Sequence, residues 1–291
     1  MSMESLYQLL GTSRQSFHQR RARWIEEDQL AQKLIERVLF HRQDHPRMGA
    51  RTLYRMMQGV KEDQALIEKI GRDRFEQILL DNNLRVSPVQ VFHKTTYSGA
   101  FRFPNLVEGL SINQINTIWI SDLTYYRLQK GWAYLTFILD LYSRRCLGYA
   151  LSEHMHSEET TMAALKMAIN TRAIDQYHHT LTFHSDGGGQ YYDKGFTSLL
   201  KDYQIQSSMA EIVYENPHVE RFHSTAKNDY LIPWNVNTIS QLQIMLPKFV
   251  KLYNQVRPHQ SLKGVTPIAF EEACQHIPIN QRTTVLFKKI S

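Results

Sequence analysis

The sequence predicts an α/β chain in which an all-helical N-terminal region precedes a core built on a mixed sheet. Two observations carry this. Up to about residue 85 apolar residues recur at helical spacing, as in Leu30-Ala31-Leu34-Ile35-Val38-Leu39, and β-branched alternation is scarce. From Asn116 onward three strand-like segments follow one another, separated only by Gln129-Lys130-Gly131 and Tyr142-Ser143-Arg144, as in an antiparallel meander. The expected divisions are a helical region over 1–85, a linker over 86–112, an α/β core with C-terminal helices over 113–275, and a tail over 276–291.

In order along the chain, Ser5 to Leu10 reads as a short helix, and Gly11-Thr12-Ser13 as a turn with capping chemistry. The next segment, Arg14 to Trp24, holds Arg14, Arg20, Arg21 and Arg23 and no acid. A helix, a short turn and a basic second helix is the helix-turn-helix layout. A second such unit is expected from a helix near Asp28–Gln43, a break at His45-Pro46-Arg47-Met48-Gly49, and a helix from Ala50 to Met57 carrying Arg51 and Arg55. A plain bundle whose arginines face solvent is the bland alternative for each unit. Pro88, Gly99 and Pro104 interrupt the linker, and Phe92-His93-Lys94-Thr95-Thr96-Tyr97 within it mixes base with aromatic.

In the core the predicted strands are Ile118–Arg127, Ala133–Leu141 and Arg145–Leu151. A helix over Ser157–Thr171, a strand over Leu181–His184, a helix over Lys194–Tyr203, a strand near Ile205–Ser208 and a helix around Glu220 complete it. The order βββαβαβα is that of the ribonuclease H fold. In that topology the first strand, the end of the fourth strand and the last helix meet at one edge of the sheet. Asp122, Asp186 and Glu220 fall at those three places.

Singly, each acid has a bland reading: a strand-end polar group, an Asp-Gly turn former, and a glutamate facing a helix dipole. Together they suit phosphoryl transfer on DNA. Hard divalent cations take carboxylate oxygens, and two such ions neutralise the transition state of phosphodiester cleavage. Without metal the same cluster would repel and raise at least one pKa. Lys227 lies seven residues after Glu220, two turns on along a helix, where a cation can hold a phosphate.

The bulk numbers agree. The net charge is +6 and the pI about 9.2, which favours a polyanionic partner. Residues 1–97 carry 16 Lys and Arg against 12 Asp and Glu, so the excess is concentrated there. Hydrophobic content of 42 % with 21 % charged residues is ordinary for a globular protein. No apolar run reaches the length of a membrane span, no signal segment opens the chain, and Cys146 and Cys274 read as ordinary thiols; a cytoplasmic location is the expectation. Thirteen histidines invite a zinc reading, with His41 and His45 spaced as a pair, but no Cys-x-x-Cys accompanies them. His184 is expected beside the acids, and His178 and His179 in a loop.

These motifs resemble the OrfB-type transposases of bacterial insertion sequences, which carry a DDE integrase core. The resemblance covers almost the whole chain. It rests on Leu6–Arg14 and His45–Leu53 in the helical region, and on Trp119-Ile120-Ser121-Asp122-Leu123-Thr124-Tyr125 in the core. It rests also on Gly131–Leu135 with Leu139–Arg145, on His184-Ser185-Asp186-Gly187-Gly188-Gly189-Gln190-Tyr191, and on Tyr253–Leu262 with Thr266-Pro267. It implies a catalytic, metal-binding triad of Asp122, Asp186 and Glu220 using two Mg2+ ions, with Mn2+ as substitute. It implies DNA contacts from Lys227 and Arg221, and from Arg14, Arg20, Arg21, Arg51 and Arg55. The implied partners are double-stranded DNA, as terminal inverted repeats and target, and further copies of the chain in a homodimer or larger assembly. An upstream OrfA-type DNA-binding partner or fusion is the alternative to action alone.

There are two departures from the family pattern. Between Asp186 and Glu220 stand 33 residues, two fewer than the family's usual spacing, with the shortening falling in Met209–Tyr214. Glu215-Asn216-Pro217 replaces the commoner Asp-Asn-Ala. The rival readings are a stand-alone nuclease or resolvase on the same fold, and a non-catalytic DNA-binding regulator. The first predicts cleavage without joining; the second predicts loss of a triad acid, and none is missing.

Overall fold

The computed structural model describes residues 3–9, 11–87, 103–173, 180–210 and 217–287. The Phe92–Tyr97 segment, His178 and His179, and positions 211–216 of the shortened loop lie outside these. The chain divides into two compact units, residues 1–87 and 88–291.

The first unit is helical. Helix α1 (Met3–Leu9) leads into α2 (Arg14–Asp44), whose N-cap Ser13 accepts a hydrogen bond from the Ser16 amide. Tyr7 of α1 packs on Phe17 of α2 with ring centroids 5.3 Å apart. Two separate helices were expected over 14–43, and one continuous helix is found. Trp24-Ile25-Glu26-Glu27 contains no glycine or proline to break it, and the Arg14–Trp24 charge run is only its largely exposed first third. Three shorter helices follow: α3 (Ala50–Gln58), α4 (Lys61–Ile70) and α5 (Arg72–Asp81). They close over a core of Leu34, Val38, Leu53, Met57, Ile67, Phe75 and Leu79. Arg42 fixes the α2–α3 turn by donating to the carbonyls of Pro46 (2.9 Å) and Met48 (2.8 Å).

The second unit is built on a five-stranded sheet of order β4-β3-β2-β5-β6. Its strands are β2 (Ile118–Arg127), β3 (Trp132–Asp140), β4 (Cys146–Ser152), β5 (Thr182–Ser185) and β6 (Gln206–Met209). β1 (Ser111–Ile112) precedes them in the chain and lies outside this sheet. β2 pairs antiparallel with β3, and β3 with β4; β5 runs parallel to both β2 and β6. Helices α6 (Thr161–Arg172) and α7 (Lys194–Asp202) cover one face, over Trp119, Ile138, Phe183 and Phe196. Helices α8 (Pro217–Ser224) and α9 (Ile239–Gln255) cover the other, over Ile120, Phe137, Phe222 and Phe249. The mixed sheet covered on both faces is the ribonuclease H-like α/β architecture that the element order predicts.

Gly148 lets α6 approach β4. A Cβ at this position would collide with the Ala164 carbonyl oxygen and the Ala168 amide. α6 starts at Thr161, four residues later than expected, because Ser157 instead donates from its hydroxyl to the Gln190 carbonyl (3.1 Å). Two segments expected as linker and tail are in fact joined. β1 pairs antiparallel with β7 (Val285–Leu286). Val107, Ile112 and Phe287 are all buried in the core beneath α8 and α9, so apolar burial draws these stretches into the unit.

A buried ionic cluster ties the C-terminal helix α10 (Pro267–Gln275) to the sheet. Glu271 on α10 receives hydrogen bonds from Arg145 (2.7 Å), Arg172 (2.5 Å) and the Ser143 hydroxyl (2.6 Å). These bonds hold its carboxyl below the usual range against the opposing effect of burial, which is the largest single influence. Asp140 accepts from the amides of Asn116, Tyr142 and Ser143. The Asn254 side chain makes a paired contact with the Cys146 main chain, accepting at 2.9 Å and donating at 2.8 Å. The Leu139–Arg145 and Tyr253–Leu262 motifs thus fasten the helices to the sheet. No helix among the described residues is long and apolar enough to cross a membrane.

Candidate active site

Asp122 sits in β2 opposite Phe137 of β3, one residue beyond Ser121, and Ser121 pairs in parallel register with Ser185 of β5. Asp186 follows Ser185 directly, so Asp122 within β2 and Asp186 at the end of β5 stand at the same level of the sheet. The Gly188 amide donates to Asp186 Oδ1 at 3.1 Å, which turns the chain sharply there. Tyr191, in the short helical turn after the glycines, holds this loop against β2. Its hydroxyl shares a 2.9 Å hydrogen bond with Ser121 Oγ, which itself donates to the Phe137 carbonyl at 3.0 Å. Burial and the nearby Asp186 and Asp122 raise the Tyr191 phenol well above its ordinary pKa, so it stays neutral.

Glu220 stands at the start of α8. This helix is anchored on β3 and α9 by Phe222, whose ring meets Phe137 (4.8 Å), Tyr253 (4.5 Å) and Phe249 (5.3 Å) edge-on. The packing presents the next residue, His223, to Asp122, with Nδ1 3.6 Å from Oδ2. The helix does not continue as α. After Ser224 it widens into a π-helical stretch over Thr225–Leu231, and the Lys227 ammonium donates to Thr124 Oγ1 at 2.5 Å.

The electrostatics tie these groups together. The Asp122 carboxyl is pushed well above the ordinary carboxylate range, first by burial and next by Asp186, with Glu220 adding to it. The Leu123 amide and Lys227 oppose the shift. Its side chain keeps 23 % of its surface exposed, so the carboxyl is recessed yet reachable. Asp186 is raised as well, by burial, against the pull of the Gly188 amide. Burial lowers Lys227 to about 8, with Asp122 resisting. His223 is lowered to about 3, chiefly by burial and then by Lys227, and is neutral at physiological pH.

The acids are all oxygen donors, the chemistry that hard divalent cations require. Among the described residues, no group of three or more His, Cys, Asp or Glu side chains is arranged to hold a metal ion. The fit therefore rests on the donor type and on the mutual repulsion at Asp122.

The other sequence-predicted residues divide. His184 lies two residues before Asp186 but is fully buried. Its Nδ1 shares a 3.0 Å hydrogen bond with Ser208 Oγ, its ring meets Phe287 at 5.5 Å, and burial lowers it to about 4. It is a packing residue of β5. His41 is no metal partner of His45: it and Arg37 both grip the buried Asp63, His41 Nε2 at 2.5 Å from Oδ2. Arg14, Arg20, Arg21, Arg51, Arg55 and Arg221 are all exposed, and Arg51 is paired with Glu76 at 3.1 Å. His223 and Tyr191 were not foreseen from sequence. The only signal for either was its place in a motif, Glu220-Arg221-Phe222-His223 and Gly187-Gly188-Gly189-Gln190-Tyr191.

The integrase core domain family matches residues 113–213, and a second integrase core family matches residues 204–267. An insertion element IS600 uncharacterized 31 kDa protein from Shigella sonnei is 31 % identical over 209 residues, covering 70 % of this chain and 75 % of that protein. The transposase InsF for insertion sequence IS3A of Escherichia coli (strain K12) is 29 % identical over 159 residues, covering 54 % of each; the chain spans about half the length of that relative. Among solved structures, the HTLV-2 integrase catalytic core domain in complex with magnesium shares 22 % identity over 57 % of this chain and 99 % of its own, with a TM-score of 0.43. The chain belongs to the insertion-sequence transposases that carry an integrase core domain, polynucleotidyl transferases of DNA transposition and integration.

Proposed function

We propose that Asp122, Asp186 and Glu220 form the catalytic triad of this transposase and together hold two divalent cations, Mg2+ with Mn2+ as substitute. The observation that carries the reading is the electrostatic burden on Asp122: burial, Asp186 and Glu220 all push its carboxyl toward neutrality. A cluster of this kind is costly in isolation and is relieved by bound cations. When bound, such a pair of ions supplies charge neutralisation for the attacking and leaving oxygens of the phosphodiester. Asp122 would serve both ions, with Asp186 on one and Glu220 on the other.

The chain's own groups do the rest. Ser121, Tyr191 and the Gly188 amide fix the two aspartates so that little reorganisation is needed on binding. Lys227, next to Thr124, is placed to meet a DNA phosphate. In the first reaction a water oxygen bonds to phosphorus at the element's end and the 3′ oxygen leaves as a 3′-OH. In the second that 3′ oxygen bonds to a target phosphorus and the target's own 3′ oxygen leaves. One phosphodiester is broken for each formed, so joining needs no outside energy source.

The exposed arginines Arg14, Arg20, Arg21, Arg55 and Arg221 suit sequence-independent contacts to duplex DNA, and Arg51 can join them by exchanging Glu76 for phosphate. Pairing two element ends calls for a dimer or larger assembly, with an OrfA-type product as a further partner. The test uses synthetic duplexes made from the DNA flanking the gene, with full-length protein and Mg2+. Asp122→Asn is expected to lose both strand cleavage and strand joining by at least about a thousandfold while retaining DNA binding. Joining by a folded Asp122→Asn protein at the wild-type rate would overturn the reading.

A further inference from the structure

The far end of the β2–β3 hairpin carries a cluster that the triad does not use. Tyr125 pairs across the ladder with Tyr134, and Arg127 with Trp132, so Tyr125, Arg127 and Trp132 share one face. Nearer the middle of β2 this face is covered: Trp119 is buried beneath α6 and α7, and Ser121 is held by Tyr191. Beyond Leu123 the cover ends. Tyr125 is 46 % exposed and Trp132 is 45 % exposed, with their rings 5.3 Å apart and nearly perpendicular. A cation flanks each ring. The Arg127 guanidinium lies 4.8 Å over Trp132, and the Lys227 ammonium 5.5 Å from the centre of Tyr125. Neither cation is ion-paired with a carboxylate among the described residues.

An exposed cross-strand aromatic pair adds only about 0.5–1.5 kcal/mol to a hairpin. That gain explains the contact between the rings. It does not explain two large apolar faces left in water with a cation beside each. Alternating aromatic and basic groups are the chemistry that receives unstacked nucleobases, the rings taking the bases and the cations the phosphates. The position fits as well. Tyr125 lies on the opposite face of β2 from Asp122, reached around the strand edge that β5 leaves after Ser121, and is three residues along the strand, roughly 10 Å at the rise of an extended strand. That is within one or two nucleotides of a phosphodiester at the acids, and Lys227 bridges the interval through Thr124.

We propose that Tyr125 and Trp132 form a stacking platform for unpaired nucleobases at the DNA end whose phosphate is engaged at the acids. Arg127 and Lys227 are its phosphate contacts. A terminal base pair would open on the platform, freeing the reacting strand to reach Asp122. The proposal rests on the triad reading for its choice of DNA end, but its own test reads binding alone.

The experiment measures fluorescence anisotropy of labelled duplexes with the full-length protein, without divalent metal. Three probes share one duplex: a blunt end, a short 3′ oligothymidine overhang, and an overhang of equal length and charge made of abasic sites. The wild-type protein is expected to bind the thymidine overhang roughly 5- to 100-fold more tightly than the abasic one. Trp132→Ala and Tyr125→Ala should each remove most of that preference, and Trp132→Phe should keep most of it. Both rings are half-exposed, so melting temperatures of the variants serve as the folding control. Equal affinity for the two overhangs, or full base preference in Trp132→Ala, overturns the proposal. Asp122→Asn should keep the base preference. A joining-competent Asp122→Asn protein with normal base preference would defeat the triad and leave the platform standing. A wild-type protein with no base preference and a joining-dead Asp122→Asn would do the reverse.

Discussion

His223 Nδ1 lies 3.6 Å from Asp122 Oδ2, with the imidazole buried beside the Phe137 ring at 5.6 Å. Burial keeps the ring neutral, and its Nε2 has no hydrogen-bond partner among the described residues. The Nδ1 edge faces Asp122 at a distance too long for a hydrogen bond to Oδ2, and a hydrogen bond with the Asp122 main chain raises the ring's pKa against the effect of burial. His223 is thus a positioning residue for Asp122. Replacement by phenylalanine keeps the volume and removes that hydrogen bond. His223→Phe is expected to cut the strand-joining rate roughly tenfold with KM for DNA unchanged, as for a misaligned reactive group. His223→Asn, which restores a donor, should recover part of the rate. A loss confined to KM would assign the ring a binding role instead.

Lys227 gives a pH prediction. Its ammonium is lowered to about 8 by burial, so it is charged below that pH and neutral above it. If it meets a phosphate, DNA affinity contributed by this residue is present below pH 8 and fades as pH rises through it. Lys227→Arg keeps its charge at all these pH values and should flatten that limb. Lys227→Met should weaken binding to about the level of the wild type at high pH, and should also lower the salt dependence of binding. Affinity measured by anisotropy from pH 6.5 to about 9.5 checks both variants.

Glu271 tests the ionic fastening of α10. It and Arg172 are nearly fully buried, at 6 % and 7 % side-chain exposure. Removing Glu271 takes a buried carboxylate from Arg145 and from Arg172, which keeps its 3.5 Å contact with Asp140, and costs about 3–5 kcal/mol. Glu271→Ala should therefore lower the denaturant midpoint markedly, while Glu272→Ala, at the exposed neighbouring position, should leave it within about 0.5 kcal/mol. Chemical denaturation of the full chain gives the comparison.

The meander was legible because its turns are short and local. Gly131 takes a positive φ of 80° and Arg144 one of 61°, and each turn stands between two largely buried strands. The positions of the three acids were legible for a similar reason: the local pattern puts Asp122 within β2, Asp186 directly after β5 and Glu220 in the first turn of α8. What the pattern could not show is long-range. The Glu271 cluster joins residues about 130 positions apart, and β1 finds its partner near the other end of the chain. The helical boundary inside α2 was misplaced because a run of arginines was read as an independent helix when no breaking residue separates it from the next. His223 was missed because it reads as one more polar residue in α8 until Phe222 is seen to pack and turn it toward Asp122.

The central claim is that Asp122, Asp186 and Glu220 act as one metal-holding unit. The most direct measurement is Mn2+ binding to the full-length protein, followed by the electron paramagnetic resonance of the free ion. The account predicts two bound ions per chain in the wild type. Asp122→Asn should lose both, while Asp186→Asn and Glu220→Gln should each weaken one, with the melting temperature of every variant unchanged or raised by the lost repulsion. Wild-type Mn2+ binding by a folded Asp122→Asn protein would contradict the account.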